Sequence, residues 1–242
     1  MPERTRIADY KQMLTHPDID IHTHGNMPDD EQHISVVSMF AQDYQQASTF
    51  DKKYFSIGLH PWHVNDVNIN DILPSIEQTV QSPYCLGIGE IGLDHVSTVP
   101  LDKQIIAFEK QLLLAQQLEL PVILHNVKSL TEITQLLKKV KFNQPVIFHG
   151  FTGKIEMAYQ ILEYGNTFLS FGKSIHHSNT SLSLDLIPIN RIFFETDDDK
   201  NLNIEEVYQT ATGLLHSTVD KCKERIYNNF ITVFKKYNAK LA

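Results

Sequence analysis

The feature that most constrains this chain is a repeated alternation of short apolar runs with longer amphipathic stretches. Residues 19–24, 34–40, 54–60, 85–91, 121–125, 145–149, 167–171 and 191–196 are each rich in Ile, Val, Leu or Phe. All eight are short enough to be strands buried on both faces. Helical patterns lie between many of them. Over residues 102–119, Ile105, Phe108, Leu112, Ala115 and Leu118 fall on one stripe, with Lys103 and Lys110 elsewhere. Residues 129–140 and 153–164 repeat the pattern in shorter form, and 204–216 and 219–237 close the sequence. Strand–helix alternation of this kind calls for parallel pairing with right-handed crossovers. Eight such strands favour a closed barrel over an open doubly wound sheet, so the expected fold is an α/β (β/α)8 TIM barrel. The length of 242 residues suits one barrel of about 250. No repeat or linker interrupts the chain, which reads as a single domain, residues 1–242. Distortion is expected over 25–50, where little room is left for a full helix between the first two strands.

Charge and cysteine content narrow the function classes. The formal net charge is −8, so the chain lacks the broad positive surface behind most non-specific nucleic-acid affinity. Two divalent cations would cancel half of that charge, which leaves room for local engagement of phosphate at a metal centre. Cys85 and Cys222 are far apart and form no CxxC pair, so neither a disulfide framework nor a thiolate zinc site is expected. Residues 1–21 carry Glu3, Arg4, Arg6, Asp9 and Lys11 without a signal-peptide apolar core. No segment approaches the ~20 apolar residues that span a bilayer. A cytoplasmic, membrane-free setting is the expectation.

Polar residues fall at telling places in this pattern. His22 and His24 end the first apolar run. Residues at i and i+2 of a strand share a face, so both imidazoles are directed at one cavity. Glu90 lies late in the fourth run; His125 and His149 end the fifth and sixth; Asp197 directly follows the eighth. Barrel enzymes carry their reactive groups at the C-terminal ends of strands. A single such His is most often a half-buried strand end, and acids such as Glu195 and Asp197 also suit a helix N-terminus. Six metal-competent side chains at one end of five strands point instead to a shared centre. Four imidazoles and two carboxylates suit zinc, manganese or a similar ion, whereas magnesium prefers oxygen ligands and water. Six ligands exceed what one zinc takes from protein, so two ions bridged by Glu90 are expected.

The chain resembles the TatD family of metal-dependent deoxyribonucleases, within the amidohydrolase-like barrels. The matching pieces are Asp20-Ile-His-Thr-His24, Gly58-Leu-His-Pro61, Gly87-Ile-Gly-Glu-Ile-Gly-Leu-Asp94, Phe108-Glu-Lys-Gln-Leu112, Leu120-Pro-Val-Ile-Leu-His125, Phe148-His-Gly-Phe-Thr-Gly153, Leu169-Ser-Phe-Gly172 and Glu195-Thr-Asp197. They occur in family order over roughly residues 20 to 200. The resemblance implies a TIM barrel, one to three divalent ions and phosphodiester hydrolysis, often as a 3′-to-5′ exonuclease on DNA ends. It also implies His22, His24, Glu90, His125, His149 and Asp197 as the metal ligands. Three departures touch the substrate side. The segment after His24 is short, the family's Arg after the fifth-strand His is replaced within Asn126-Val127-Lys128, and Asp198 and Asp199 stand where Ser-Pro is usual.

On this reading metal-activated water attacks the ester, and Asp197 accepts its proton. His60 and His63 contact phosphate or protonate the leaving oxygen, or else pack their loop against Pro61 and Trp62. Lys128, Lys154 and Lys173 form a small cationic rim or remain ordinary surface lysines. Trp62 stacks a base or is packing. Two other readings stay open: hydrolysis of an amide, ester or aminoacyl-tRNA bond by the same metals, and a non-catalytic metal-binding barrel.

Overall fold

The computed structural model describes residues 16–25, 32–49, 52–177, 180 and 184–241. Its strands are β1 (Asp18–Thr23), β2 (His33–Phe40), β3 (Tyr54–Gly58), β4 (Cys85–Asp94), β5 (Val122–Val127), β6 (Val146–Phe148), β7 (Thr167–Phe171) and β8 (Ile192–Phe194). They form one parallel sheet in sequence order, β1 to β8. The sheet curls until its ends meet at Asp197. This residue donates its N–H to the His22 carbonyl and accepts the His24 N–H, both at 2.9 Å, and forms a parallel bridge with Thr23. The result is the nearly closed eight-stranded barrel expected from the apolar runs.

Helices α1 (Ile69–Thr79), α2 (Leu101–Gln117), α3 (Leu130–Lys139), α4 (Ile155–Leu162), α5 (Ile204–Leu214), α6 (Val219–Val233) and α7 (Lys235–Leu241) accompany the strands. Strands β1, β4 and β7 are buried along their whole length, as they must be with helices outside and side chains packed within. Buried β6 (Val-Ile-Phe) and β8 (Ile-Phe-Phe) are accordingly apolar throughout, whereas β1 alternates Asp18, Asp20 and His22 with Ile19 and Ile21 and buries both sets. Tyr208 on α5 ties the outer layer to β1, its hydroxyl accepting the Ile19 N–H at 3.0 Å.

Three local features add to the pattern read in the sequence. Helix α1 forms although Pro74 lies inside it, because Ile72 and Ile76, one turn apart, are both buried and Asn68 caps the first turn. The segment 219–237 divides at Phe234 into α6 and α7. Between β2 and β3 runs a 3-10 helix, Ala41–Thr49, in place of a full α-helix. The tight connection expected after His24 falls on residues 26–31, outside the described residues, as does most of the N-terminal stretch read as lacking a signal peptide. Among the described residues, no helix is long and apolar enough to cross a membrane. Cys85 and Cys222 are buried, unpaired thiols.

One glycine is required by close packing at the site. Gly92 has φ +148°, and a Cβ built there would stand 2.0 Å from the His125 carbonyl oxygen of the neighbouring strand. Backbone cannot yield as a flexible side chain can. Gly92→Ala is therefore expected to cost about 3 kcal/mol, the upper end for overpacking, read as a lowered thermal midpoint.

Candidate metal centre

Backbone irregularities sit where the polar residues do. The pairing of β4 with β5 shifts register between Ile88 and Ile91, and that of β1 with β2 between Asp20 and Thr23. Bulges of this kind re-aim side chains next to active sites. They flank Glu90 and His22.

The structure brings His22, His24, Glu90, His125, His149 and Asp197 together at one mouth of the barrel. Glu90, only 4% exposed, is the hub. Its Oε1 lies 2.6 Å from His149 Nε2, 2.8 Å from His125 Nδ1 and 3.1 Å from His60 Nε2. Its Oε2 lies 3.3 Å from His22 Nε2 and 3.4 Å from His24 Nε2. Asp197 Oδ1 is 3.6 Å and 3.9 Å from the same two nitrogens. Five imidazoles thus surround one carboxylate, divided between its two oxygens.

The charges respond accordingly. Burial alone would raise the Glu90 pKa, but His149, His125 and His22 overcome it and hold the carboxyl well below its usual range. Burial and the neighbouring His149 act to lower His22, yet Asp197 and Glu90 win and push it up to about 9. Burial likewise opposes a charged His149, and Glu90 with Glu195 carries it well above its ordinary value. Asp197 is lowered against burial, chiefly by His22 and His149. His60 goes the other way, because its burial outweighs Glu90.

This donor set fits divalent cations. His22 is fully buried, and both ring nitrogens lack a hydrogen-bond partner. Its Nε2 stands 3.3 Å from Glu90 Oε2 and 3.6 Å from Asp197 Oδ1. Ligands about 2.1 Å from a common ion stand roughly 3 to 3.4 Å apart, which matches the separations of Glu90 from His60, His22 and His24, while His149 and His125 stand closer, at 2.6 and 2.8 Å. Three overlapping donor groups are close enough to hold an ion: His22–His24–Glu90, His22–His149–Asp197 and His60–Glu90–His125. A further group, Asp18–His33–Glu205, lies at the other end of β1. There Lys223 Nζ already sits 2.8 Å from Asp18 Oδ2.

Sequence reasoning placed His60 in a neighbouring loop, yet it stands inside the cluster. The signal was available: 54–60 was read as a strand ending in His60, so the strand-end rule applied to it as to the others. The supporting layer was missed. Asp94 Oδ2 lies 3.1 Å from His125 Nε2 and accepts the Trp62 indole N–H at 2.6 Å. Gln104 brackets the Asp94 backbone, accepting its N–H and donating to its carbonyl. Seven residues on, Gln111 does the same for Leu59, next to His60. Two buried glutamines two turns apart on one face of α2 were legible as polar breaks in an apolar stripe. Glu195 Oε1 accepts the Gly150 N–H at 2.5 Å and lies 3.8 Å from His149 Nδ1. Asp20, whose pKa burial raises to about 7, accepts the backbone N–H and hydroxyl of Thr196.

The remaining residues singled out from sequence lie outside the cluster. His63 pairs with Asp66 at 2.9 Å and packs edge-on against Phe40. Lys128 and Lys154 are exposed in the loops after β5 and β6. Lys173 is paired with Asp199 at 2.9 Å.

The family model described as TatD related DNase matches residues 19–235. The chain belongs to the TatD family. YjjV of Escherichia coli, called a metal-dependent hydrolase, is 26% identical over 214 residues, covering 81% of this chain and 82% of that one. The YjjV crystal structure superposes with a TM-score of 0.79 at 22% identity, covering 90% of this chain and 97% of that one. Human TATDN2, called a 3′-5′ RNA nuclease, is 31% identical over 127 residues, 50% of this chain but 17% of that protein. Membership makes this TatD-family chain a metal-dependent hydrolase and sets aside the non-catalytic barrel.

Ion binding is testable apart from catalysis. Manganese or zinc at a hundred times its Kd is expected to stabilise the fold by about 2.7 kcal/mol, a rise in thermal midpoint of roughly 5–10 °C. Glu90→Gln, which removes the charge shared by both halves of the cluster, is expected to abolish that rise.

Proposed function

We propose that this TatD-family hydrolase cleaves phosphodiester bonds at DNA ends, removing nucleotides in the 3′-to-5′ direction. The observation that carries the reading is the division of Glu90. One oxygen faces His22 and His24, and the other faces His60, His125 and His149, so a single carboxylate serves both sets of imidazoles. His22, His24, Glu90, His125, His149 and Asp197 would hold the ions, and an imidazole-rich donor set would favour zinc or manganese over magnesium. Such ions supply an acidified water and neutralise charge building on a phosphate oxygen.

The chain's own residues divide the remaining work. Asp197 is the proton acceptor: its side chain is 38% exposed, so solvent reaches it, whereas Glu90 is enclosed. Burial keeps His60 neutral, the form a ligand needs, and its contacts with Glu90 and His125 place it with the ion-holding groups. The leaving oxygen then takes its proton from solvent. His63, Lys128 and Lys154 stand at the rim as the groups that meet the strand. The name of the family model and that of the human relative both point to nucleic acid.

One observation favours a second reading. Asp198 and Asp199 place negative charge beside the cluster, and Asp199 engages Lys173, a rim cation. A less charged substrate, an amide or ester or an aminoacyl-tRNA bond, meets less repulsion there. Manganese-loaded protein is expected to shorten a 5′-labelled single-stranded oligonucleotide, chelator to abolish this, and Asp197→Asn to lower kcat about 10²-fold or more. His125→Ala is expected to lose activity as well. Hydrolysis confined to esters or aminoacyl-tRNA transfers the assignment to the second reading.

A further inference from the structure

We propose that the indole of Trp62 is a stacking platform for the unpaired base of the nucleotide held at the metal centre. The inference rests on the nucleic-acid reading above and adds a subsite to it.

An exposed aromatic ring alone says little, since single surface hydrophobes are common. Trp62, however, is 55% exposed and yet fixed in place. Its N–H is bound by Asp94 Oδ2 at 2.6 Å, while the other oxygen of that buried carboxylate accepts the N–H groups of Val96, at 2.7 Å, and Ser97, at 3.1 Å. The Asp94 backbone is in turn bracketed by Gln104. A ring that merely covers surface needs no such anchorage. A ring that receives a ligand gains from it, because the ordering cost is met before binding.

The anchor also sets the position. Asp94 Oδ2 lies 3.1 Å from His125 Nε2, and the other nitrogen of His125 lies 2.8 Å from Glu90. The platform is therefore one carboxylate and one imidazole from the hub of the cluster, within reach of a nucleoside whose phosphate sits there. The rings of His60 and His125 meet the indole nearly at right angles, 78° and 75°, at 4.7 and 5.7 Å. Among the described residues no ring lies parallel to it. Beside it opens a cleft of about 320 Å³ lined by Trp62, Asp94, Val96, Ser97 and Thr98, near the ~300 Å³ at which small-molecule pockets begin. Val96, 65% exposed, offers a second apolar contact.

The same geometry specifies how the base is read. Both oxygens of Asp94 are committed to Trp62, His125, Val96 and Ser97, so the charged group in the cleft is not free to discriminate base edges. Stacking on a ring face accepts every base. The subsite thus favours an unpaired end over a blunt duplex and is nearly indifferent to sequence.

Trp62 is the only tryptophan, so intrinsic fluorescence reports this ring alone. Zinc-loaded protein is titrated with a single-stranded tetranucleotide of phosphorothioate linkages, and with the same molecule carrying an abasic 3′ residue. Binding is followed by fluorescence and, through a 5′ dye, by anisotropy. The base-bearing strand is expected to quench Trp62 and to bind about tenfold tighter than the abasic one. Trp62→Ala should erase that difference and Trp62→Phe should keep most of it, with circular dichroism unchanged in both. Equal binding of the two strands, or binding without a change in fluorescence, overturns the platform. Cleavage of phosphodiesters alongside equal binding removes the platform and leaves the nuclease reading intact. Quenching without any phosphodiester hydrolysis removes the nuclease reading and leaves the platform.

Discussion

The structure turns on a carboxylate that has no business being buried by itself. Removing an ionised Glu90 from water costs several kcal/mol even after the protein relaxes. What offsets that cost is the arrangement of five imidazoles from four strand ends around its two oxygens. Each imidazole is desolvated by the same enclosure, so the group is stable only as a whole and only with positive charge among its members. Protons on His22 and His149 meet this need in the absence of cations. Divalent ions meet it better, since one ion satisfies several donors at once. The two register shifts beside Glu90 and His22, the Gly92 contact and the seam at Asp197 are local concessions that bring these donors into range.

Asp197 shows how closely fold and site are joined. Its backbone, at φ 56°, bonds on both sides to β1 and closes the sheet. The two residues whose backbone it binds are His22 and His24. The seam that completes the barrel therefore ties the backbone of Asp197 directly to those of His22 and His24, with no need for side-chain packing to do so. Behind the cluster, α2 fulfils a comparable role through Gln104 and Gln111. Each side chain matches one residue's N–H and C=O together, which fixes a loop backbone as a neighbouring strand would. Buried polar groups with every bond made specify a single arrangement, and here that arrangement holds His60 and Asp94.

The sequence was most legible where one physical rule acted alone. Strands of a barrel leave short runs rich in Ile, Val, Leu and Phe, so all eight were found within a few residues. The strand-end rule then selected six donors that the structure brings together. Legibility failed where two rules competed. Helix α1 was not read in the sequence: Pro74 stands inside it, yet burial of Ile72 and Ile76 prevails. His60 follows a strand but precedes Pro61 and Trp62, and the loop-like flank hid its strand-end position. Asp94 lies beyond the apolar run of β4, so nothing in hydropathy marks it, although it touches both His125 and Trp62. Such supporting residues depend on pairwise geometry, which periodicity does not encode.

The acidic balance of the chain bears on how a polyanion would be held. With a net charge of −8 and Lys173 already engaged by Asp199, long-range attraction contributes little. Affinity must then come from contacts at close range: cations bound among the imidazoles for the phosphate, and a fixed aromatic face for the base. These two terms differ in kind. Phosphate neutralisation weakens steeply with salt, whereas burial of a ring face changes little. A site built from both selects an end that presents a phosphate and a free base together, and passes over the interior of a duplex, where the bases are stacked on one another. On the proposed function, selectivity for ends would follow from an acidic surface around a small cationic centre, without any element devoted to reading sequence.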